Sequence, residues 1–308
     1  MGVDARIVLY CEDEEAARSA ARSAFKRMSD LDSVLSDYRA NSELMQLCKT
    51  AGGNSKLVSK DLLNVLERAQ EISIVSGGAF DITVGPLVRL WRTARSGGIF
   101  PNNAAINKAM TWVGWEKIII DSSANSVKLK QPGMILDLGG IGKGFAVDEA
   151  MKTLAGVGIN ICLVDLGGDI AAGAPPPDKK AWIVSVRDGS DIKATINLLC
   201  KNKGIATSGD SEQFLKSKGK RYSHIIDPRT GMALTNRIAV TVVAQDCTTA
   251  DALASAISVL GPTEAKKLLK KFPHTFVQIA FEASDGTWQK INFGSAPFVK
   301  KQSEYSSN

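Results

Sequence analysis

Four short stretches of this chain carry residue types that could do chemistry at a spacing that could use them. Asp251 and Ser255 lie four apart in "TTADALASAIS", which puts a carboxylate and a hydroxyl on one face of a helix, in its first turns. Such a pair is either a two-oxygen clamp for a hard cation or an Asp complementing the helix dipole beside a packed Ser. Magnesium suits the clamp, because it keeps several waters and takes further oxygens from substrate phosphates. "DLGGIGKG" (137–144) reads as a strand-to-helix turn. A P-loop would need Gly where Asp137 stands and Ser or Thr where Gly144 stands, and the dinucleotide fingerprint would need Gly at Phe145. What remains is either a phosphate cradle of free N–H groups at a helix N-terminus or a tight turn needing glycine. "SHIIDPRTG" (223–231) places an imidazole, a carboxylate, a guanidinium and a hydroxyl close together, with "ATSGD" (206–210) adding a further polar turn. Finally "GGAFDITVGPLVRLW" (77–91) mixes turn glycines with core residues around Asp81, as backbone held against a ligand would. Taken together the four stretches describe a polar, glycine-rich site for a phosphorylated molecule.

The elements that must position these residues follow from periodicity. Residues 3–10 alternate as a strand, and Ala17, Ala20, Ala24, Met28, Leu31 and Leu35 recur at helical spacing. Ser59 can cap a helix running to about Ser76, with Leu62, Leu63, Leu66, Ala69 and Ile72 on its core face and Gly77 closing it. Residues 97–116 read as polar connection and 117–130 as a hairpin. Strand, glycine turn and helix then cover 132–158, and "ICLVDLGGDIAAG" is a second strand that ends in Gly-Gly-Asp. "WIVSVRD", "ATINLLC" and "GIATSGD" look like a meander. "RIAVTVVAQ" is a strand, followed by helices from about Thr249 to Gly261 and from Thr263 to Phe272. Strands and helices intermix with antiparallel connections, so the expected class is α+β with mixed or antiparallel sheets and packed helices. Residues 1–300 are read as one domain and 301–308 as a polar tail.

Bulk properties narrow the function. With 44% hydrophobic and 23% charged residues the chain has the composition of a soluble globular protein. No apolar run reaches the ~18 residues of a membrane-spanning helix. The start shows no basic segment followed by an apolar run, so as written the chain reads as cytoplasmic, or as one whose leader was removed. A net charge of +6 is densest in "KKLLKK" (266–271) and "KSKGKR" (216–221). No nucleic-acid module accompanies that charge, so a nucleic-acid partner is not expected. Five cysteines without close pairs and two histidines give no zinc spacing and no disulfide framework.

In order along almost its whole length, the chain carries "MGV", "LSDYRANSEL", "GGAFDITVGPLVRLW", "DLGGIGKGFAVDEA", "VDLGGD", "ATSGD", "HIIDPRTG" and "ADALASA". In these it resembles the ApbE flavin transferases. The resemblance implies an ApbE-type fold, FAD as substrate, a magnesium requirement, and transfer of FMN from FAD to a threonine or serine hydroxyl of an acceptor protein with release of AMP. It implies that Met1, Tyr38, Ala79, Phe80, Asp81, Lys143 and Ile226 contact FAD. The metal would be held by the Gly140 carbonyl, Asp251 and the Ser255 hydroxyl. Ser255 stands where the family commonly has Thr, and Cys48 where it usually has Asn. The acceptor's proton would go to a base, for which His224 titrates in a suitable range, with Asp210 and Asp227 as alternatives or as orienting groups. Family acceptors carry a D-x-x-[ST]-[GA]-[AS]-T motif that is not found here, and redox electron-transport subunits are the implied partners. Hydrolysis of FAD to FMN and AMP, or FAD binding without catalysis, are the competing readings. Members are often lipid-anchored outside the cytoplasm, so a membrane association would follow only from an anchor ahead of this sequence.

Overall fold

Neighbouring residues in the strands are buried on opposite sides, and this decides the layering. The structure, a computed structural model, describes residues 2–187, 195–209, 214–217, 219–283, 285–295 and 299–300. Its helices are α1 (Glu14–Leu35), α2 (Glu43–Cys48), α3 (Lys60–Val75), α4 (Gly85–Gly97), α5 (Asn103–Met110), α6 (Gly142–Ala155) and α7 (Cys247–Leu269). The main sheet uses β1 (Ala5–Leu9), β5 (Cys162–Leu166), β6 (Asp169–Ala172), β9 (Lys203–Gly209), β12 (Ile238–Ala244), β13 (Phe276–Glu282) and β14 (Trp288–Phe293), hydrogen-bonded in that order. Every pairing in it is antiparallel. The smaller sheets are β2 (Lys56–Leu57) with β3 (Ile118–Asp121) and β4 (Ser126–Leu129); β7 (Trp182–Arg187) with β8 (Thr195–Cys200) and β15 (Val299–Lys300); and the hairpin β10 (Phe214–Ser217) with β11 (Lys220–Ser223). The expected α+β class with antiparallel sheets is what the chain adopts.

Val164, Ala206, Val242 and Val277 face one core, which they share with α6 and α7, whereas their neighbours Leu163, Ile205, Val243 and Phe276 face another. That second core is closed by Trp182, Val184, Val186 and Leu198 of the β7–β8 pair. Antiparallel sheets usually wet one face; here both faces of the central strands are covered, which explains why β12 reads as a nearly continuous apolar run. Outside α6 lies α1, whose Ala20, Ala24, Met28, Leu31 and Leu35 are buried as the helical spacing predicts. Arg27 of α1 fastens these layers by pairing with Asp61 of α3 at 2.6 Å and Glu149 of α6 at 2.5 Å.

Several local expectations change: residues 130–141, expected to hold a strand and a turn, hold no strand, and β9 pairs with β6 and β12 instead of continuing a meander from β7 and β8. The polar stretch 97–116 contains α5, started by the Asn102 side chain on the Ala105 N–H at 2.8 Å, with Ile106 and Ala109 buried. The two C-terminal helices are as expected: α7 consists of two helical segments that meet at a non-helical Gly261 (φ 69°, ψ 177°) ahead of Pro262.

Candidate active site between α6 and α7

The start of α7 is held in place from outside. Its own cap is Asp246, on the Thr249 N–H at 2.7 Å. Asp148 of α6 adds a second, accepting from the N–H groups of Cys247 at 2.9 Å and Thr248 at 2.8 Å and from the Thr248 hydroxyl. Two carboxylates therefore meet the orphan N–H groups and positive end of one helix. Burial pushes the Asp148 carboxyl up, against the opposing pull of its Thr248 hydrogen bonds. In consequence the first turns of α7 have a fixed position relative to the start of α6.

That position brings the glycine turn onto the Asp251–Ser255 face. A Cβ added at Gly140 would stand 2.7 Å from the Ser255 Oγ and 3.3 Å from the Phe80 ring, and one at Gly144 would stand 2.4 Å from the Cys247 carbonyl oxygen. Only glycine lets the two backbones approach this closely. The Gly144 N–H donates to Asp251 Oδ2 at 3.2 Å. Gly140, Phe80, Asp251 and Ser255, far apart in sequence, are thus neighbours. The "LGGD" turn adds a further residue. Leu166 pairs with Asp169 across a two-residue loop of Gly167 and Gly168, both at positive φ as such a hairpin requires. This turn leaves Asp169 2% exposed at the head of β6, hydrogen-bonded to Lys143.

Lys143 is expected against a nucleotide; here its ammonium pairs with Asp169 and lies 3.9 Å from Asp251 Oδ2. Burial alone would lower its pKa, but the two carboxylates outweigh burial and hold it above the ordinary lysine range. Asp169 is pushed well above the usual carboxylate range by burial and by Asp251, with Lys143 opposing. Burial and the surrounding carboxylates raise the Cys247 thiol in the same way. Asp169 is the residue that sequence reasoning left without a role. Its signal was an acid directly behind Gly-Gly in a strand-ending motif.

The segment 77–91 runs from this centre to a second one. Asp81 is buried: its Oδ1 accepts from the Thr83 N–H at 2.8 Å and hydroxyl at 2.7 Å, and its Oδ2 from the Trp115 N–H at 2.9 Å. Burial raises its pKa while these bonds oppose the shift. Its carboxylate therefore caps the short 3₁₀ turn at Ile82–Val84. Ala79 and Phe80 are buried beside it. Further on, Trp91 of α4 donates from Nε1 to the Gly231 carbonyl at 2.9 Å and stacks on Tyr222, whose ring meets Phe100 edge-on. Ile226 is buried in this aromatic cluster.

Ile226 belongs to the turn that carries His224, which is half-buried. Asp227 there accepts from the Arg229 N–H and, through both oxygens, from its guanidinium, each at 2.9 Å. Tyr38 is 76% exposed, with the Arg92 guanidinium 4.3 Å from its ring centroid and 3.2 Å from Asp37. Cys48 accepts the Leu136 N–H at 3.3 Å, so a hydrogen bond exists at this position with sulfur as the acceptor. Met1 and Asp210 lie outside the described residues.

The Gly140 backbone lies against Ser255, one turn from Asp251, and a carbonyl, a carboxylate and a hydroxyl are hard donors of the kind that fits a magnesium ion keeping part of its water shell. Among the described residues no group of three or more His, Cys, Asp or Glu converges. No helix among them is long and apolar enough to cross a membrane.

The ApbE family profile matches residues 1–279. An FAD:protein FMN transferase of Treponema pallidum is 33% identical, the match covering 97% of this chain and 89% of that one. One of Klebsiella pneumoniae is also 33% identical, over 85% of this chain and 80% of its own. Among solved structures, the flavin transferase ApbE from Vibrio cholerae superposes with a TM-score of 0.82 at 28% identity, covering 95% of this chain and 94% of that one. The ApbE protein of Thermotoga maritima gives 0.80 at 27% identity, with 94% of each chain covered. On its motifs, its fold and the match along its length, the chain belongs to the ApbE family.

Proposed function

We propose that this chain is an FAD:protein FMN transferase that uses magnesium to move FMN from FAD onto a threonine or serine hydroxyl of an acceptor protein. The observation that carries the reading is the convergence of Gly140, Lys143, Asp251 and Ser255 at the start of α6 and α7. In the reaction the acceptor oxygen bonds to the FMN phosphorus, the bond from that phosphorus to the bridging oxygen breaks, and AMP leaves with the electron pair. When bound, magnesium supplies charge neutralisation at the diphosphate oxygens. Asp251, the Ser255 hydroxyl and the Gly140 carbonyl would hold it.

The protein's own groups do the remainder. Most N–H groups of the 139–144 turn are already bonded, Gly139 to Asp137, Ile141 and Gly142 to the Leu138 carbonyl and Gly144 to Asp251, so it is the positive N-terminus of α6 that favours an anion at that spot. Phe80 packs against Gly140 and gives an apolar wall that excludes water from one side. Tyr38 offers an exposed ring for a flavin to stack on. His224 takes the hydroxyl proton as the general base. Asp227, already bidentate to Arg229, serves to hold the turn that carries the imidazole. An acceptor with the D-x-x-[ST]-[GA]-[AS]-T motif, a redox electron-transport subunit, is the partner this reading implies.

Incubating the protein with FAD, magnesium and such an acceptor tests it. The expected result is a covalently fluorescent acceptor and one AMP per FMN attached. Free FMN with an unmodified acceptor would make the protein an FAD pyrophosphatase, and unchanged FAD would make it a binding protein.

A further inference from the structure

Two buried carboxylates face each other at the candidate site. Asp169 is 2% exposed and Asp251 6%, and Asp251 lies close enough to act directly on the Asp169 carboxyl. Buried like charges of this kind are strongly unfavourable unless a cation or a proton offsets them. In this structure the offsetting cation is Lys143, which pairs with Asp169 and lies 3.9 Å from Asp251. Its position is set by the fold: it belongs to the first turn of α6, and the neighbouring Gly144 N–H is bonded to Asp251. The ammonium therefore neutralises the same carboxylate that a divalent cation would use.

We infer that Lys143 is a resident counter-cation of the metal site, occupying by charge the place a divalent ion takes and competing with it for Asp251. The inference rests on the proposed metal role of Asp251 and goes beyond it. A cation arriving without substrate must share Asp251 with a fixed positive charge a few ångströms away, so its affinity for the free protein is low. An anionic diphosphate offers the ammonium another partner and relieves that competition, so metal and diphosphate each strengthen the binding of the other, as linkage requires. The lysine is here a positioning residue that sets the order and tightness of metal binding. It also lessens the need for metal in folding, because part of the buried negative charge is already offset.

The test uses Mn²⁺ or Mg²⁺ alone, without FAD, on the full chain. Mn²⁺ affinity is measured by calorimetry or by the loss of free-ion paramagnetic signal for the wild type, Lys143→Met, Lys143→Arg and Asp251→Asn. Lys143→Met should bind Mn²⁺ at least about tenfold more tightly than the wild type. It should also melt lower in EDTA and recover most of that loss in millimolar Mg²⁺, since only the folded state holds the ion. Lys143→Arg, which keeps the charge, should behave as the wild type. If Lys143→Met does not fold, Lys143→Gln provides the same comparison with a shorter neutral side chain. Unchanged Mn²⁺ affinity in the neutral variant, or an equal drop in melting temperature with and without Mg²⁺, would overturn the inference and leave Lys143 a structural ion pair. Wild-type Mn²⁺ binding retained by Asp251→Asn would instead overturn the metal site itself, and the lysine's role with it. Loss of binding in Asp251→Asn alongside an unaltered Lys143→Met would sink only the lysine.

Discussion

The α6–α7 centre and the turn that carries His224 are built by opposite means. The first is a contact between regular elements: two carboxylates cap α7, glycines at 140 and 144 let the backbones meet, and a lysine neutralises buried acid. The second is a turn held against aromatic side chains, with Trp91 stacked on Tyr222, Phe100 edge-on to both, and an Asp227–Arg229 pair closing it. Helix-borne groups that are charged and buried cannot move far without exposing an uncompensated charge, so they suit the task of fixing an ion and a diphosphate. The turn that carries His224 rests on apolar side chains and is closed by backbone bonds of Asp227 to Met232 and Gly231, a different kind of support for the role proposed for the imidazole. The segment 77–91 joins the two, touching Gly140 through Phe80 and Gly231 through Trp91. This is why it mixes turn glycines with large apolar residues.

Breaking the helix-borne centre should have the largest effect. Asp251→Asn keeps an acceptor for the Gly144 N–H but removes the charge, so transfer should fall by about 10³-fold or more, in line with a lost transition-state charge stabiliser. A magnesium titration that restores wild-type turnover in this variant would contradict the assignment. His224→Ala should lower transfer by ~10²-fold, the usual scale of general-base help, with FAD affinity little changed. The wild-type rate should fall on acidification as the imidazole is protonated, and that fall should vanish in the variant. An equal loss of FAD binding, read by flavin fluorescence, would make His224 a pocket wall.

Smaller effects test the scaffold that separates the two centres. Asp81→Ala removes three hydrogen bonds from a buried turn and should cost about 2 kcal/mol of stability, visible in a denaturant melt. A variant with wild-type stability and weakened FAD binding would show that Asp81 serves the ligand more than the turn. Arg27→Ala, at a partly exposed ion-pair node, should cost about 1 kcal/mol near neutral pH. Burial tends to raise the Glu149 carboxyl, but Arg27 and Lys152 prevail and hold it below its ordinary 4.5. A depressed carboxyl stabilises the fold above its unfolded-state pKa, and that share is lost as pH falls through the folded-state value. The gap between wild type and Arg27→Ala should accordingly narrow below about pH 4.5; a gap that does not change with pH would contradict the pairing.

The helix and strand periods, the cap at Ser59 and the break at Gly261 are local, so the sequence by itself determined most elements and the α+β class. The motifs likewise named the family and most of the candidate residues. It did not determine α5, where polar and Gly/Pro/Asn residues around a short helix masked an apolar pair at Ile106 and Ala109. Nor did it show that the Asp81 carboxylate turns inward, because the partners at Thr83 and Trp115 become neighbours only once residues 81 and 115 are folded together. Asp169 and Lys143 are the clearest case. Twenty-six residues apart in sequence, they become an ion pair only when the Gly167–Gly168 hairpin and the start of α6 are packed side by side. Long-range antiparallel pairing and the two-carboxylate cap on α7 decide that packing, and neither leaves a periodic trace in the chain.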